Sequence, residues 1–243
     1  MNELPEQPRQ SRTRCPVRPA RGTRRGFTLV ELLVTVSIIT LLISILVPSL
    51  RNAKSQAKGT LCKTNLRSIY LTQTIWLEDH KLFQPLNNEV DDGKWQYNYL
   101  IYDGRDWESN FGPLLRDQRL LHDVTLLYCP FQKSEFYTID SDENPWWPKE
   151  SFDTRAAYGR RHLLTGRGLS QFRGNIALFS DVLHMPTVIR SGHKKGVNAV
   201  YLDGHVSWVQ DPGILTDNDL GEPFDVFDNP VMDEIWRALD RRL

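Results

Sequence analysis

The sequence predicts an α+β protein: a long N-terminal helix followed by a globular domain with an antiparallel sheet. Three observations predict it. Residues 27–47 are almost unbroken apolar sequence. Apolar residues then recur at three- and four-residue spacing from Leu50 to Leu77. Beyond about residue 80, short apolar and aromatic runs alternate with Asp-Gly, Asn-Asn and Pro turn signals. The chain divides accordingly into a basic leader (1–26), an N-terminal helix (27–80, with 27–47 as its membrane-spanning part) and an outer α+β domain (81–243).

The leader comes first. The 243-residue chain has zero formal net charge, but the zero hides an asymmetry. Arginines 9, 12, 14, 18, 21, 24 and 25 face only Glu3 and Glu6 in the leader, and the remainder is correspondingly acidic. A basic front before an apolar run is the positive-inside arrangement, which keeps the leader cytoplasmic and sends the rest across a membrane. The acidic remainder argues against nucleic acid as a partner. Rich in Arg, Pro, Gln and Thr, residues 1–25 read as a disordered leader.

The apolar run has 21 residues. At about 1.5 Å per residue it spans about 31 Å, the thickness of a hydrocarbon core. Pro48 either kinks the helix or marks its exit from lipid. Beyond it, Leu50, Ala53, Ala57, Leu61, Leu66, Ile69, Trp76 and Leu77 predict one apolar stripe, with Arg51, Lys54, Lys58, Lys63 and Arg67 on other faces. Gly59 weakens the helix locally.

In the outer domain the clearest strands are "NIALFSD" (175–181), "VNAVYL" and "HVSWVQ", the last two joined at Asp203-Gly204. A two-residue Asp-Gly hairpin there places Ala199, Tyr201, Val206 and Trp208 on one apolar face. The tail "NPVMDEIWRALDRRL" predicts a short helix, with Asn229 as cap, Pro230 in the first turn and Met232, Ile235, Trp236 and Leu239 as the buried stripe.

One charge interrupts the membrane segment: Glu31, five residues after Gly26. A carboxylate at the centre of a membrane helix costs roughly 2.5–3.5 kcal/mol, less near the edge, and it invites a partner. A signal peptide has a shorter core and a small-residue cleavage site after it, a twin-arginine signal gives Glu31 no role, and a plain signal-anchor leaves it unexplained. Cleavage between Gly26 and Phe27 would create an α-amino group one helical turn from Glu31. In a parallel bundle of identical rods shifted along their axes, that amine meets the Glu31 of a neighbour, and the pair sets register.

At these residues the chain resembles a known family. "GFTLVELL", with Glu31 as fifth and Pro48 as twenty-second residue after the glycine, is similar to the cleavage and methylation motif of type IV pilins and type II secretion pseudopilins. The resemblance implies a prepilin peptidase that cuts after Gly26 and methylates Phe27. It also implies an inner-membrane, single-pass precursor with the outer domain periplasmic, and assembly with other pilin-like subunits into a filament. The leader is longer than in many pilins. A second stretch, "HKKGVNAVYLDGHVSWV", runs from His193 through nine residues to Asp203-Gly204 and is similar to the H-X9-DG module of a pilin-like family. "LCKTNLRSIYL" and "LLYCPFQ" look like that family's cysteine-containing segments.

Other chemistry is weaker. Cys62 and Cys129 follow the apolar run and form either one disulfide or two buried free thiols; Cys15 lies in the leader. His193, Asp203 and His205, with Asp181 and His184, could be metal ligands. A strand from Val197 to Asp203 of about 20 Å separates His193 from Asp203 too far for one ion, so Asp203 reads as a turn residue, His193 as a loop or capping residue, and no metal is assigned. A calcium loop at "DDG" or "SDENP" lacks the EF-hand pattern. Trp95, Tyr97, Tyr99, Tyr102, Trp107, Trp146 and Trp147 are either core filling, the favoured reading, or an aromatic platform for a sugar or peptide. No nucleophile elbow, phosphate loop or zinc-spaced cluster appears, so no cofactor and no enzymatic activity is expected. The alternative to a filament subunit is a membrane-anchored binding module that does not polymerise.

Overall fold

The computed structural model describes residues 26–84, 98–105, 107, 110–117, 120–183, 185–193, 195–210 and 229–241. It divides into two compact units, 1–50 and 51–243.

Helix α1, Leu29–His80, has 52 residues and carries Pro48 inside it. Proline removes one backbone donor, yet the helix continues on both sides. In the first unit the side chains of 27–47 are exposed all round, from Phe27 (71%) and Leu29 (86%) to Ile45 (67%). A rod that is apolar on every face has no solvated side and calls for lipid or other chains around it. Its length and composition suffice to cross a membrane.

In the second unit two antiparallel sheets form. β1 (Leu100–Asp103) pairs with β2 (Asp153–Arg155). The larger sheet orders β3 (Tyr158–Arg160), β4 (Ala177–Asp181), β5 (Gly196–Tyr201) and β6 (Val206–Gln210) in sequence. Short helices α2 (Gly112–Arg116) and α3 (Pro186–Ser191) lie in the connections, and α4 (Asn229–Asp240) closes the described chain. The α+β expectation is met, with the strand expected at 175–181 observed at 177–181.

Helices cover both faces of the larger sheet. Tyr158, Leu178, Phe179 and Val200 pack in one core with Cys62, Leu66, Ile69 and Leu77 of α1. Ala177, Val197, Ala199, Tyr201 and Val209 pack in a second core with Met232, Ile235, Trp236 and Leu239 of α4. That double cover is why all six residues of β5 are buried. The stripe expected for α4 is the observed one. Its end is fixed by polar contacts: Tyr201 Oη donates to the Leu239 carbonyl (3.1 Å), and the Asp240 carboxylate accepts from Arg161 Nη1 and the Ala177 amide (both 2.9 Å).

Two sequence-based expectations are corrected. The α1 stripe begins later than expected. Leu50 (69%) and Leu61 (49%) are exposed, as are Ala53 and Ala57, and the buried line runs through Cys62, Asn65, Leu66, Ile69, Thr72, Gln73 and Leu77. Small and apolar residues at helical spacing continue upstream of the covered stretch, so spacing alone did not mark where cover starts.

The hairpin register is also shifted by one. Val200 pairs with Val206, Ala199 with Ser207 and Asn198 with Trp208. Ala199 and Tyr201 therefore face α4, whereas Val206 and Trp208 lie on the opposite face. The reason is the turn. Gly204 N–H donates to the Tyr201 carbonyl (2.8 Å), Tyr201 N–H to the His205 carbonyl (3.0 Å), and Gly204 has φ +81°. This is a three-residue loop ending in a left-handed glycine bulge, not a two-residue turn. A Cβ on Gly204 would sit 2.7 Å from the Tyr70 ring of α1. Tyr70 Oη in turn donates to the Leu202 carbonyl (2.9 Å) and Arg67 Nη1 to the Gly204 carbonyl (2.8 Å). The turn is thus seated on α1.

Candidate functional site

The residues expected from the sequence to direct processing and assembly lie at the start of α1. Gly26 and Phe27 are exposed and non-helical, and Thr28 caps the helix. Thr28 N–H and Oγ1 donate to Glu31 Oε2 (2.9 and 2.8 Å), and Glu31 N–H donates back to Thr28 Oγ1 (3.2 Å). This reciprocal Thr-x-x-Glu capping box satisfies helix-terminal donors that lipid would not. The sequence reading missed it, although Thr28 and Glu31 stand at the required spacing. Both acceptor bonds fall on one carboxylate oxygen, leaving Oε1 without a bond among the described residues.

Gly26 has no structural duty within the described chain. A Cβ there would meet nothing within 4 Å, and its backbone is not in the left-handed region. Gly204 and Gly112 differ: a Cβ on Gly112 would lie 2.2 Å from the Trp107 carbonyl oxygen.

A second cluster joins α1 to the sheet. Cys62 and Cys129 are buried thiols with sulfurs 2.7 Å apart. His193 Nε2 lies 3.3 Å from Cys129 Sγ, 3.3 Å from Asp181 Oδ2 and 3.1 Å from Asn198 Nδ2. Asn198 also donates its amide N–H (2.7 Å) and its side chain (3.1 Å) to Asp181 Oδ2. The His193 ring packs between Phe131 (4.5 Å) and Trp208 (5.3 Å). Burial raises the Asp181 pKa, against the lowering pull of the His193 charge and the Asn198 donors. Burial works to lower that of His193, but the Cys129 hydrogen bond and the Asp181 charge outweigh it and hold it raised. The Cys62 contact, then burial, push the Cys129 thiol up.

The ligand atoms of Cys62, Cys129 and His193 fall within 4.8 Å of one another, a grouping able to hold a metal. Sequence reading did not assemble it, because His193 and Cys129 are 64 positions apart and Cys62 and Cys129 are 67 apart. Two sulfurs each about 2.3 Å from a tetrahedral zinc stand about 3.8 Å apart. The observed 2.7 Å is too close for that and lies nearer to a sulfur–sulfur bond of about 2.05 Å.

The remaining candidates separate. Asp203 Oδ1 accepts from the His205 N–H (3.0 Å) and contacts its Nδ1 (2.5 Å), and His205 stacks on Tyr201 (4.5 Å). His193 and Asp203 thus have different partners, and Asp181 is engaged with His193 rather than His205. His184 and "DDG" (91–93) lie outside the described residues, as do Trp95 and Tyr97. In "SDENP", the Asn144 side chain is committed to the Arg155 backbone (2.7 and 2.9 Å). Tyr99 is buried in the core, whereas Trp107, Trp146 and Trp147 gather around a cavity.

Comparison with known proteins places the N-terminal residues. Residues 21–47 match the family described as the prokaryotic N-terminal methylation motif. The type IV major pilin protein PilA of Myxococcus xanthus (strain DK1622) is 33% identical to this chain over 66 residues, 27% of this chain and 30% of that protein. The chain therefore aligns with under a third of that relative's length. No solved structure matches the chain. Methylation motif, apolar helix and pilin relative together support a pilin-like identity for this protein.

Proposed function

We propose that the chain is made as a single-pass inner-membrane precursor with its leader in the cytoplasm and its outer domain in the periplasm. A prepilin peptidase cuts after Gly26 and methylates the Phe27 amine. The mature chain then assembles with other pilin-like subunits, through α1, into a type IV pilus-like or type II secretion-related filament. The observation that carries this reading is the apolar rod of 27–47, exposed on every face, with Glu31 as its single acid. Exposure of Leu50, Ala53, Ala57 and Leu61 supports it, since this further length of α1 is also uncovered by its own domain. The H-X9-DG resemblance of His193, Asp203 and Gly204 fits the same class.

Crosslinking in cells tests assembly. A single cysteine at Leu33 or Val36, on a chain with Cys15, Cys62 and Cys129 replaced by alanine, should join copies through their N-terminal helices when prepilin peptidase is active. Only monomers under those conditions would leave a tethered, non-polymerising module.

The reading includes a disulfide between Cys62 and Cys129, formed in the oxidising compartment that receives the outer domain. It would tie α1 to the segment before Pro130 across a 67-residue separation. Closing a loop of that length stabilises by about 4 kcal/mol in the chain-entropy account. Cys62→Ala with Cys129→Ala should lower the urea midpoint of the solubilised protein accordingly, and reductant should do the same to the wild type. Alkylation of both native cysteines without prior reduction would exclude the bond.

A further inference from the structure

Three tryptophans from two separate segments surround a cavity of about 480 Å³, within the size range of small-molecule sites. Trp146 and Trp147 stack with ring centroids 5.0 Å apart and planes 19° from parallel. Trp107 stands edge-on to both, at 6.2 and 6.3 Å. Trp107 and Trp146 lean on the main core. Trp147 does not serve the core: it lines the cavity while 70% of it remains exposed. Core filling therefore explains two of the three rings, whereas the third stacks on Trp146 outside the core and stays exposed.

The rest of the lining is mixed in polarity. Arg116, His122 and Asp123 share the cavity wall with Leu115, Leu121 and Val124. Asp123 is held in place because its Oδ1 accepts from the Thr125 N–H (2.9 Å) and hydroxyl (2.6 Å), capping the turn at Val124–Leu127. The lining thus combines three indole rings with an imidazole, a carboxylate and a guanidinium.

We propose that this cavity binds a saccharide, one pyranose ring lying on Trp147 and its hydroxyls reaching His122 and Asp123. A pyranose has the matching division, with an apolar C–H face and a polar edge. An organic cation fits less well, because the Arg116 guanidinium shares the wall. A wholly apolar ligand would strip water from the exposed His122 and Asp123 without replacing their hydrogen bonds. The site lies within the outer unit and stands whether or not the chain polymerises.

The test uses the full chain in a zwitterionic detergent, since glycosidic detergents would compete. It is applied to an array of defined oligosaccharides covering neutral hexoses, N-acetylhexosamines and uronic acids, with a trimethylammonium-bearing probe alongside. At least one saccharide class should bind. Trp147→Ala should weaken it at least tenfold, whereas Trp208→Ala, at an exposed tryptophan outside the cavity, should leave it unchanged. Because Trp147 is exposed, its replacement should leave the thermal unfolding midpoint of the protein unaltered. Failure of the wild type to bind any saccharide would overturn the proposal. So would equal binding by Trp147→Ala, or capture of the trimethylammonium probe instead.

Discussion

Gly26→Ala should leave the protein folded and inserted yet halt its maturation, so that cells accumulate the chain with its 26-residue leader attached. The fold makes no demand on this position: a Cβ would meet nothing within 4 Å, and the backbone does not need glycine's conformational range. A requirement for glycine must then come from outside the chain, from an enzyme whose cleft accepts the backbone only when no side chain is present. The expected effect is close to all-or-none in processing, with no change in outer-domain stability. It is read by electrophoretic mobility in cells with and without prepilin peptidase. A Gly26→Ala chain of mature size would show that cleavage, if any, occurs elsewhere.

Glu31→Val should produce the second large effect, and of a different kind. Removing the acid makes the segment more apolar, so insertion should persist or improve. Two functions are lost together. The capping box disappears, because Thr28 no longer has the reciprocal acceptor at Glu31. A cap of this sort contributes about 1 kcal/mol, too little to unseat a long membrane helix. The second loss, on the proposed assembly, is the carboxylate that would meet the freed amine of a neighbouring copy, and assembly should fall to background. Thr28→Val separates the two contributions, since it breaks the cap and keeps the acid. Near-normal assembly of Thr28→Val beside failure of Glu31→Val assigns the effect to pairing between copies. Equal failure of both assigns it to capping. Normal filaments from Glu31→Val would remove the register argument.

Much of this architecture was legible because it rests on local periodicity. The apolar rod, the α4 stripe of Met232, Ile235, Trp236 and Leu239, and the hairpin around Asp203-Gly204 all follow from patterns local in the sequence. The hairpin register was not legible. An Asp-Gly pair serves a two-residue turn or a three-residue loop with a glycine bulge, and the choice shifts every partner by one. Here the seat of Gly204 against Tyr70 accompanies the bulged form, a contact 134 positions distant in sequence. Cover of α1 was overestimated for a similar reason, since alanine and leucine at helical spacing look alike whether their own domain or another chain meets them.

The candidate sites divide the same way. Gly26, Phe27 and Glu31 form one short linear pattern and could be read directly. The meeting of His193 with Cys129, Asp181 and Asn198 needs three segments brought together by the fold, and nothing in their spacing announced it. The gathering of Trp107 with Trp146 and Trp147 is likewise tertiary. Sequence reading noted the aromatic density, and only the fold separated the buried Tyr99 from the exposed Trp147.

The most direct test of the account is the intact mass and N-terminal sequence of the native protein taken from membranes of its own cells. The account predicts a chain that begins at N-methylated Phe27, with residues 1–26 absent. A chain that still begins at Met1, or one that begins at an unmodified residue beyond the apolar run, would contradict it.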